Sequence, residues 1–200
     1  MEIKRLRVGE LQTNCYLVWN KSQDCLIIDP GDEADFITEE IINLKLKPQA
    51  ILLTHGHYDH CLACLELKLN FNIPIYLDEK DNFLYQNASK SAEHWSATKA
   101  FKQPLTTPLP KEIKLGEELI KVISTPGHTP GSVCFYAAPH LIVGDTIFED
   151  GVGRTDFSYS SASDLQKSIN LIMSLPEDTL IYPGHENTPV YLSSILHPKF

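Results

Sequence analysis

The segment Thr54-His55-Gly56-His57-Tyr58-Asp59-His60 constrains this chain more than any other. It directly follows an apolar run, Ala50-Ile51-Leu52-Leu53, with the length and composition of a buried strand. Three imidazoles and a carboxylate so close together repel on protonation and lose hydration on burial unless a cation compensates them. The composition is that of a metal site, and of two metals. Alternate loop residues point the same way, so His55 and His57 suit one ion. Asp59 and His60 are offset and suit a second ion a few ångströms away. A ligand-rich loop after a buried strand belongs at the carboxyl edge of an α/β sheet.

Each ion needs further ligands, and the rest of the chain offers them after apolar segments. His128 lies in Thr125-Pro126-Gly127-His128-Thr129-Pro130-Gly131-Ser132, and His185 in Tyr182-Pro183-Gly184-His185. Flanking Pro and Gly fix such loops and allow close backbone approach. Asp145 follows Leu141-Ile142-Val143-Gly144, and a carboxylate has two oxygens with which to bridge two cations. Of the eight histidines, His94, His140 and His197 lack such a frame and read as surface or packing residues. Strand ends on one sheet edge converge, so four loops can build one site.

The pattern predicts alternating strands and helices. Strands are expected at 3–8, 13–19, 25–29, 50–54, 73–77, 132–137, 141–144 and 179–182, with two more around Gly116 between 113 and 124. Asp32 is the expected cap of a helix over 33–46, with Phe36, Ile37, Ile41 and Leu44 on its apolar stripe and Lys47-Pro48 at its end. Further helices are expected over 59–70, 79–87 and 161–174, the last carrying Leu165, Ile169 and Ile172 on one face.

Composition narrows the function classes. A hydrophobic fraction of 42% and a charged fraction of 22% describe one folded domain over residues 1–200. No apolar run approaches the about 18 residues of a membrane span. Met1-Glu2-Ile3-Lys4-Arg5-Leu6 has no signal-peptide character, so a cytoplasmic location is expected. A net charge of -9 without a basic stripe argues against nucleic acid as partner. Five cysteines in apolar segments do not form a secreted disulfide framework, and Cys61-Leu62-Ala63-Cys64 reads as two small buried residues.

These residues resemble the metallo-β-lactamase superfamily. Its HxHxDH motif reads here as His55-Gly56-His57-Tyr58-Asp59-His60, and its later ligands match His128, Asp145 and His185 in order. Asn14-Cys15-Tyr16-Leu17-Val18 and Leu26-Ile27-Ile28-Asp29-Pro30-Gly31 look like family strands that precede the site. The resemblance runs from about Asn14 to His185. It implies an α/β fold, a four-layer αββα sandwich of two similar halves with the metals at one edge. It also implies one metal at His55, His57 and His128, a second at Asp59, His60 and His185, and Asp145 between them. Nitrogen and oxygen donors without thiolate favour zinc, with iron and manganese open. Asp29 is the candidate for orienting a ligand.

Within the superfamily, residues 126–132 and Gly151-Val152-Gly153-Arg154-Thr155-Asp156 resemble the short glyoxalase-II-like branch. That resemblance implies hydrolysis of a small-molecule thioester such as hydroxyacyl-glutathione by a metal-bound hydroxide. Asp59 is then the catalytic residue, holding the nucleophile as well as a metal, and Arg154 steadies its loop or, as the alternative, meets an anionic substrate. Full-length glyoxalase II has a further helical region that helps hold glutathione. Fifteen residues follow His185 here, and residues 186–189 differ from the Gly-Pro of many short relatives, so smaller or broader thioesters are expected. Residues 151–156 also resemble persulfide dioxygenases, the competing reading, which would use one iron at His55, His57 and Asp145 or His128. Antibiotic-degrading members usually lack the aspartate at the Asp145 frame, which disfavours a lactamase. A metal-stabilised binding module without turnover is the third reading. Residues 78–110 and 148–161 are expected to shape the substrate site.

Overall fold

Side chains of the central strands alternate between two destinations. In β2 (Thr13–Trp19), Cys15 and Leu17 face one core and Tyr16 and Val18 another. In β3 (Asp24–Ile28), Cys25 and Ile27 oppose Leu26 and Ile28 in the same way. Strands buried on both faces need a packed layer on each side. The computed structural model, which describes residues 1–95, 103–186 and 189–195, supplies those layers.

The first sheet runs β1 (Glu2–Val8), β2, β3, β4 (Lys47–Leu52), β5 (Ile75–Leu77) and β6 (Thr107–Pro108) in that order. It is antiparallel from β1 to β3 and parallel from β3 to β6. The second sheet contains β7 (Glu112–Leu115), β8 (Glu118–Ser124), β9 (Val133–Ala137), β10 (His140–Gly144), β11 (Leu180–Pro183) and β12 (Val190–Tyr191). Its order is β12-β11-β10-β9-β8-β7, and only the β10–β11 pairing is parallel among those described. The sheets meet through Tyr16, Leu26, Ile28 and Leu52 on one side and Val133, Phe135, Ile142 and Tyr182 on the other. On the outer face of the first sheet lie α1 (Ala34–Asn43), α2 (Cys64–Phe71) and α3 (Asn82–Trp95), inserting Ile37, Ile41, Leu67 and Tyr85. On the outer face of the second lies α4 (Ala162–Ile172), inserting Leu165, Ile169 and Ile172. The architecture is the expected αββα sandwich.

Several local expectations change. Asp32 does not cap α1. It accepts the Glu33 N–H at 2.7 Å, and Glu33 itself enters the helix in a left-handed conformation without a side-chain cap. Phe36 is exposed, while Ile37 and Ile41 carry the buried stripe. Lys47 and Pro48 open β4 instead of merely ending the helix. The motif does not begin α2 directly: Tyr58–His60 form a 3₁₀ turn, and the helix starts at Cys64. The third helix runs beyond residue 87 to Trp95. His197 and residues 187–188 lie outside the described residues, as does the side chain of His94. His140 is half-buried against the Tyr182 hydroxyl at 2.9 Å, a packing role as expected.

All five cysteines are buried and free. Burial pushes the Cys15, Cys61 and Cys64 thiols well above their ordinary range, so they act as small apolar groups. Among the described residues, no helix is long and apolar enough to cross a membrane.

Helix α4 has a side-chain cap: Ser161 Oγ accepts the Asp164 N–H at 3.3 Å. Ser161→Ala is expected to cost about 1 kcal/mol of stability. A urea titration would show a lower midpoint at unchanged slope.

Candidate metal centre

Four loops at one edge of the sandwich carry the predicted site. They follow β4 (His55, His57, Asp59, His60), β8 (His128), β10 (Asp145) and β11 (His185). All seven side chains converge. Nε2 of His55 and Nε2 of His128 lie 3.1 and 3.0 Å from Nδ1 of His57. The ligand atoms of this triad lie within 4.8 Å of one another, as do those of Asp59, His60 and His185. Asp145 stands between the triads. Its Oδ2 is 3.7 Å from His128 Nε2 and 3.5 Å from His185 Nε2, and its Oδ1 is 3.5 Å from His60 Nε2.

The opposite ring nitrogens are anchored, and the anchors fix which nitrogen turns inward. His128 Nδ1 donates to the Arg154 carbonyl at 2.8 Å, and His185 Nδ1 donates to the Leu11 carbonyl at 3.2 Å. His60 Nδ1 donates to Asp29 Oδ2 at 3.0 Å. Asp29 also accepts from the Thr54 N–H at 2.7 Å and the Thr54 hydroxyl at 2.6 Å. With its only proton given to Asp29, the Thr54 hydroxyl accepts from His55 Nδ1, 3.0 Å away. His57 alone is turned round: its Nε2 meets the Tyr159 hydroxyl at 2.8 Å and its Nδ1 faces inward. In its neutral form each ring therefore presents a lone pair to the shared space.

Two buried atoms there, His60 Nε2 and Asp145 Oδ1, have no hydrogen-bond partner. A buried polar atom left unpaired costs about 1–3 kcal/mol. An imidazole nitrogen and a carboxylate oxygen stranded at the centre of two donor triads fit a cation. Backbone approaches closely around them. A Cβ on Gly184 would stand 2.2 Å from Asp145 Oδ1 and 2.8 Å from His60 Cε1, so only glycine fits beside these two groups.

The two sides differ electrostatically. Burial, reinforced by neighbouring imidazoles, holds His55 well below the usual histidine range and His57 down to about 3. Burial also opposes charge on His60 and His185. There the carboxylates win, Asp59, Asp145 and Asp29 lifting His60 to about 9, and Asp145 with Asp59 lifting His185 to about 11. Burial likewise opposes ionisation of Asp59 and Asp145, yet their histidine neighbours hold both below the ordinary carboxylate range. The carboxylate side thus calls for positive charge, while burial keeps His55 and His57 on the other side neutral.

A cleft of about 560 Å³ opens over the centre. Its apolar wall includes Leu11, Leu84, Phe148, Val152, Phe157 and Tyr159. Phe157 and Tyr159 stack with centroids 5.3 Å apart, and Phe157 lies 5.3 Å from the His57 ring. Both segments expected to shape the site contribute to this wall. The exposed Arg154 guanidinium forms a double hydrogen bond to Asp156 at 3.0 and 2.8 Å and lies 4.8 Å over Phe157. The main-chain carbonyl of Arg154 accepts from His128 Nδ1, and its side chain stays on the same loop.

Some contributing groups escape sequence reasoning. Thr13 donates to Asp59 Oδ2 at 3.1 Å. Tyr159 holds His57, and two main-chain carbonyls hold His128 and His185. Thr54 gives a weak signal through its place beside the motif. Tyr159 and the carbonyls give none, because their roles depend on loop placement.

The family model of the metallo-beta-lactamase superfamily matches residues 8–185. The chain is 35% identical over 192 residues to a protein of Haemophilus influenzae named hydroxyacylglutathione hydrolase GloC, covering 92% of this chain and 91% of that one. Among solved structures it is similar to TTHA1623 in a di-iron-bound form, at 34% identity and a TM-score of 0.87 over 96% of each chain. It is also similar to the B3 metallo-beta-lactamase BLEG-1, at 32% identity and a TM-score of 0.86 over 96% of this chain and 95% of that one.

Proposed function

The chain belongs to the metallo-beta-lactamase superfamily, and from that premise we propose that it is a dinuclear metal-dependent hydrolase of small-molecule thioesters. The observation that carries the reading is the pair of donor triads joined by one carboxylate, with Asp145 Oδ1 and His60 Nε2 buried between them without a hydrogen bond. His55, His57 and His128 would hold one ion, Asp59, His60 and His185 the other, and Asp145 both. The donors are nitrogen and oxygen alone, which favours zinc, with iron and manganese open to the same ligands. When bound, such a pair of cations supplies Lewis acidity for a carbonyl and a hydroxide nucleophile near neutral pH.

The chain's own groups do the rest. Thr13 holds the Asp59 carboxylate, which lines the cleft and would accept a hydrogen bond from the nucleophile and orient it. The anchored rings of His55, His60 and His128 keep the donors in place before substrate arrives. Phe157, Tyr159, Leu84 and Val152 pack against an acyl chain and exclude water beside the reacting carbonyl. The hydrolase name of the Haemophilus influenzae relative and the segments at 126–132 and 151–156 support the thioester substrate class. The net charge of -9 suits a small substrate better than nucleic acid.

The test is turnover of a thioester panel by metal-loaded protein, with hydroxyacyl-glutathione, other acyl thioesters, a β-lactam and a persulfide side by side. Thioester hydrolysis with two metal ions per chain is expected. His55→Ala and Asp59→Ala should each lower kcat/KM about a hundredfold in protein that still folds. Full activity in either variant rejects the site. Preferred β-lactam turnover rejects the substrate class, and one iron per chain with oxygen consumption on the persulfide replaces hydrolysis by the dioxygenase reading.

A further inference from the structure

Asp81 lies outside every motif, yet it is completely buried beneath the candidate centre. It ends the 3₁₀ turn Glu79–Asp81 that leads into α3. Its Oδ2 accepts the Gly56 N–H at 2.9 Å and the Thr129 hydroxyl at 2.6 Å, and its Oδ1 accepts the Gly131 N–H at 2.6 Å. Gly56 is the residue between His55 and His57. Thr129 and Gly131 belong to the loop that presents His128. One carboxylate therefore ties together the two loops that supply all three imidazoles of one triad.

The surrounding sequence makes room for this contact. A Cβ on Gly56 would lie 2.7 Å from the Asp81 carbonyl oxygen, and a Cβ on Gly131 would lie 2.7 Å from Asp81 Oδ1. Both glycines are stripped where Asp81 enters. The Thr129 hydroxyl also meets Ser132 Oγ at 2.7 Å, which holds it in place. Three donors face Asp81, so the ionised carboxylate satisfies them all and charge-assisted hydrogen bonds make the tie strong. The other triad is held differently: His60 by Asp29, His185 by the Leu11 carbonyl and Asp59 by Thr13.

We infer that Asp81 is a positioning residue for the ion held by His55, His57 and His128, and that it sets the affinity of that ion independently of the second. The inference rests on the dinuclear reading above. Asp81→Asn is nearly the same size, but its amide nitrogen must point at the Gly56 or the Gly131 N–H, so one of these backbone donors loses its acceptor.

The experiment is a zinc titration of metal-stripped protein against a competing chelating dye, with amide hydrogen exchange at Gly56 and Gly131 measured on the same samples. Wild type should take up two zinc ions. In Asp81→Asn one ion should bind 10- to 100-fold more weakly, as is usual when the group orienting a ligand is lost, while the other stays within about threefold. A purely structural role would weaken both ions alike or neither, and either result overturns the inference. Wild-type protein that binds fewer than two zinc ions counts against the dinuclear reading instead. The tie itself is then judged by exchange, which needs no metal: faster exchange at Gly56 and Gly131 in the variant supports it, and unchanged protection overturns it. If Asp81→Asn does not fold, Thr129→Val is read in its place. It removes one of the two hydrogen bonds that tie Asp81 to the His128 loop, and the same selective weakening, smaller in size, is expected.

Discussion

Asp145→Asn is expected to lower kcat/KM for a thioester by about 10³-fold, or about 4 kcal/mol of transition-state stabilisation. Asp145 reaches both triads, since its Oδ2 faces His128 and His185 while its Oδ1 faces His60. Asparagine keeps the shape but removes the charge and replaces one oxygen by a donor. That donor would point at imidazole nitrogens or at a cation, both unfavourable. Loss at a residue belonging to one triad leaves the other complete; loss at Asp145 weakens both. The metal content should accordingly fall below two ions per chain by mass spectrometry, in step with the rate. A variant that retains two ions and stays within tenfold of wild type would show that the triads do not share this carboxylate.

The seven residues that converge at the candidate centre are legible in the sequence because their chemistry is concentrated and framed. His55 to His60 crowd into six positions, and His128 and His185 each follow Pro-Gly at the end of an apolar segment. The sandwich is legible through the family resemblance; residues such as Cys25 to Ile28 are apolar throughout and do not show that Leu26 and Ile28 turn to the inner core while Cys25 and Ile27 turn outward. The strands β6 and β12 were not, because two residues carry no period. They exist only by pairing, Thr107 with Tyr76 and Tyr191 with Leu180. The α1 cap was misassigned because the chain enters that helix through a left-handed Glu33, and Asp32 spends its side chain on the Glu33 N–H. The supporting carboxylates divide the same way. Asp29 could be suspected from its place at a strand end before Pro-Gly. Asp81 could not, since nothing in a polar run after β5 tells which carboxylate turns inward to meet loops far away in sequence.

Asp29→Ala carries the largest expected effect on stability. The carboxylate is buried and accepts three hydrogen bonds, from the Thr54 N–H, the Thr54 hydroxyl and His60 Nδ1. Alanine strands all three donors in a region without access to water. At about 1–3 kcal/mol for each, reduced by local rearrangement, the loss should come to about 4 kcal/mol. The backbone adds to it, because Asp29 sits at φ 50°, a left-handed conformation that aspartate tolerates better than alanine. For a chain of this length the melting temperature should fall by about 10 °C, measured with chelator present so that bound metal does not enter. Asp29→Asn should fall between the two, because its remaining oxygen still accepts from Thr54. Loss of the Thr54 anchor also frees the His55 ring, so Asp29→Ala should weaken both ions, in contrast to the selective effect at Asp81. A melting temperature within 2 °C of wild type would mean that water or a neighbouring group replaces Asp29, and that Thr54 and His60 are held by something other than this carboxylate.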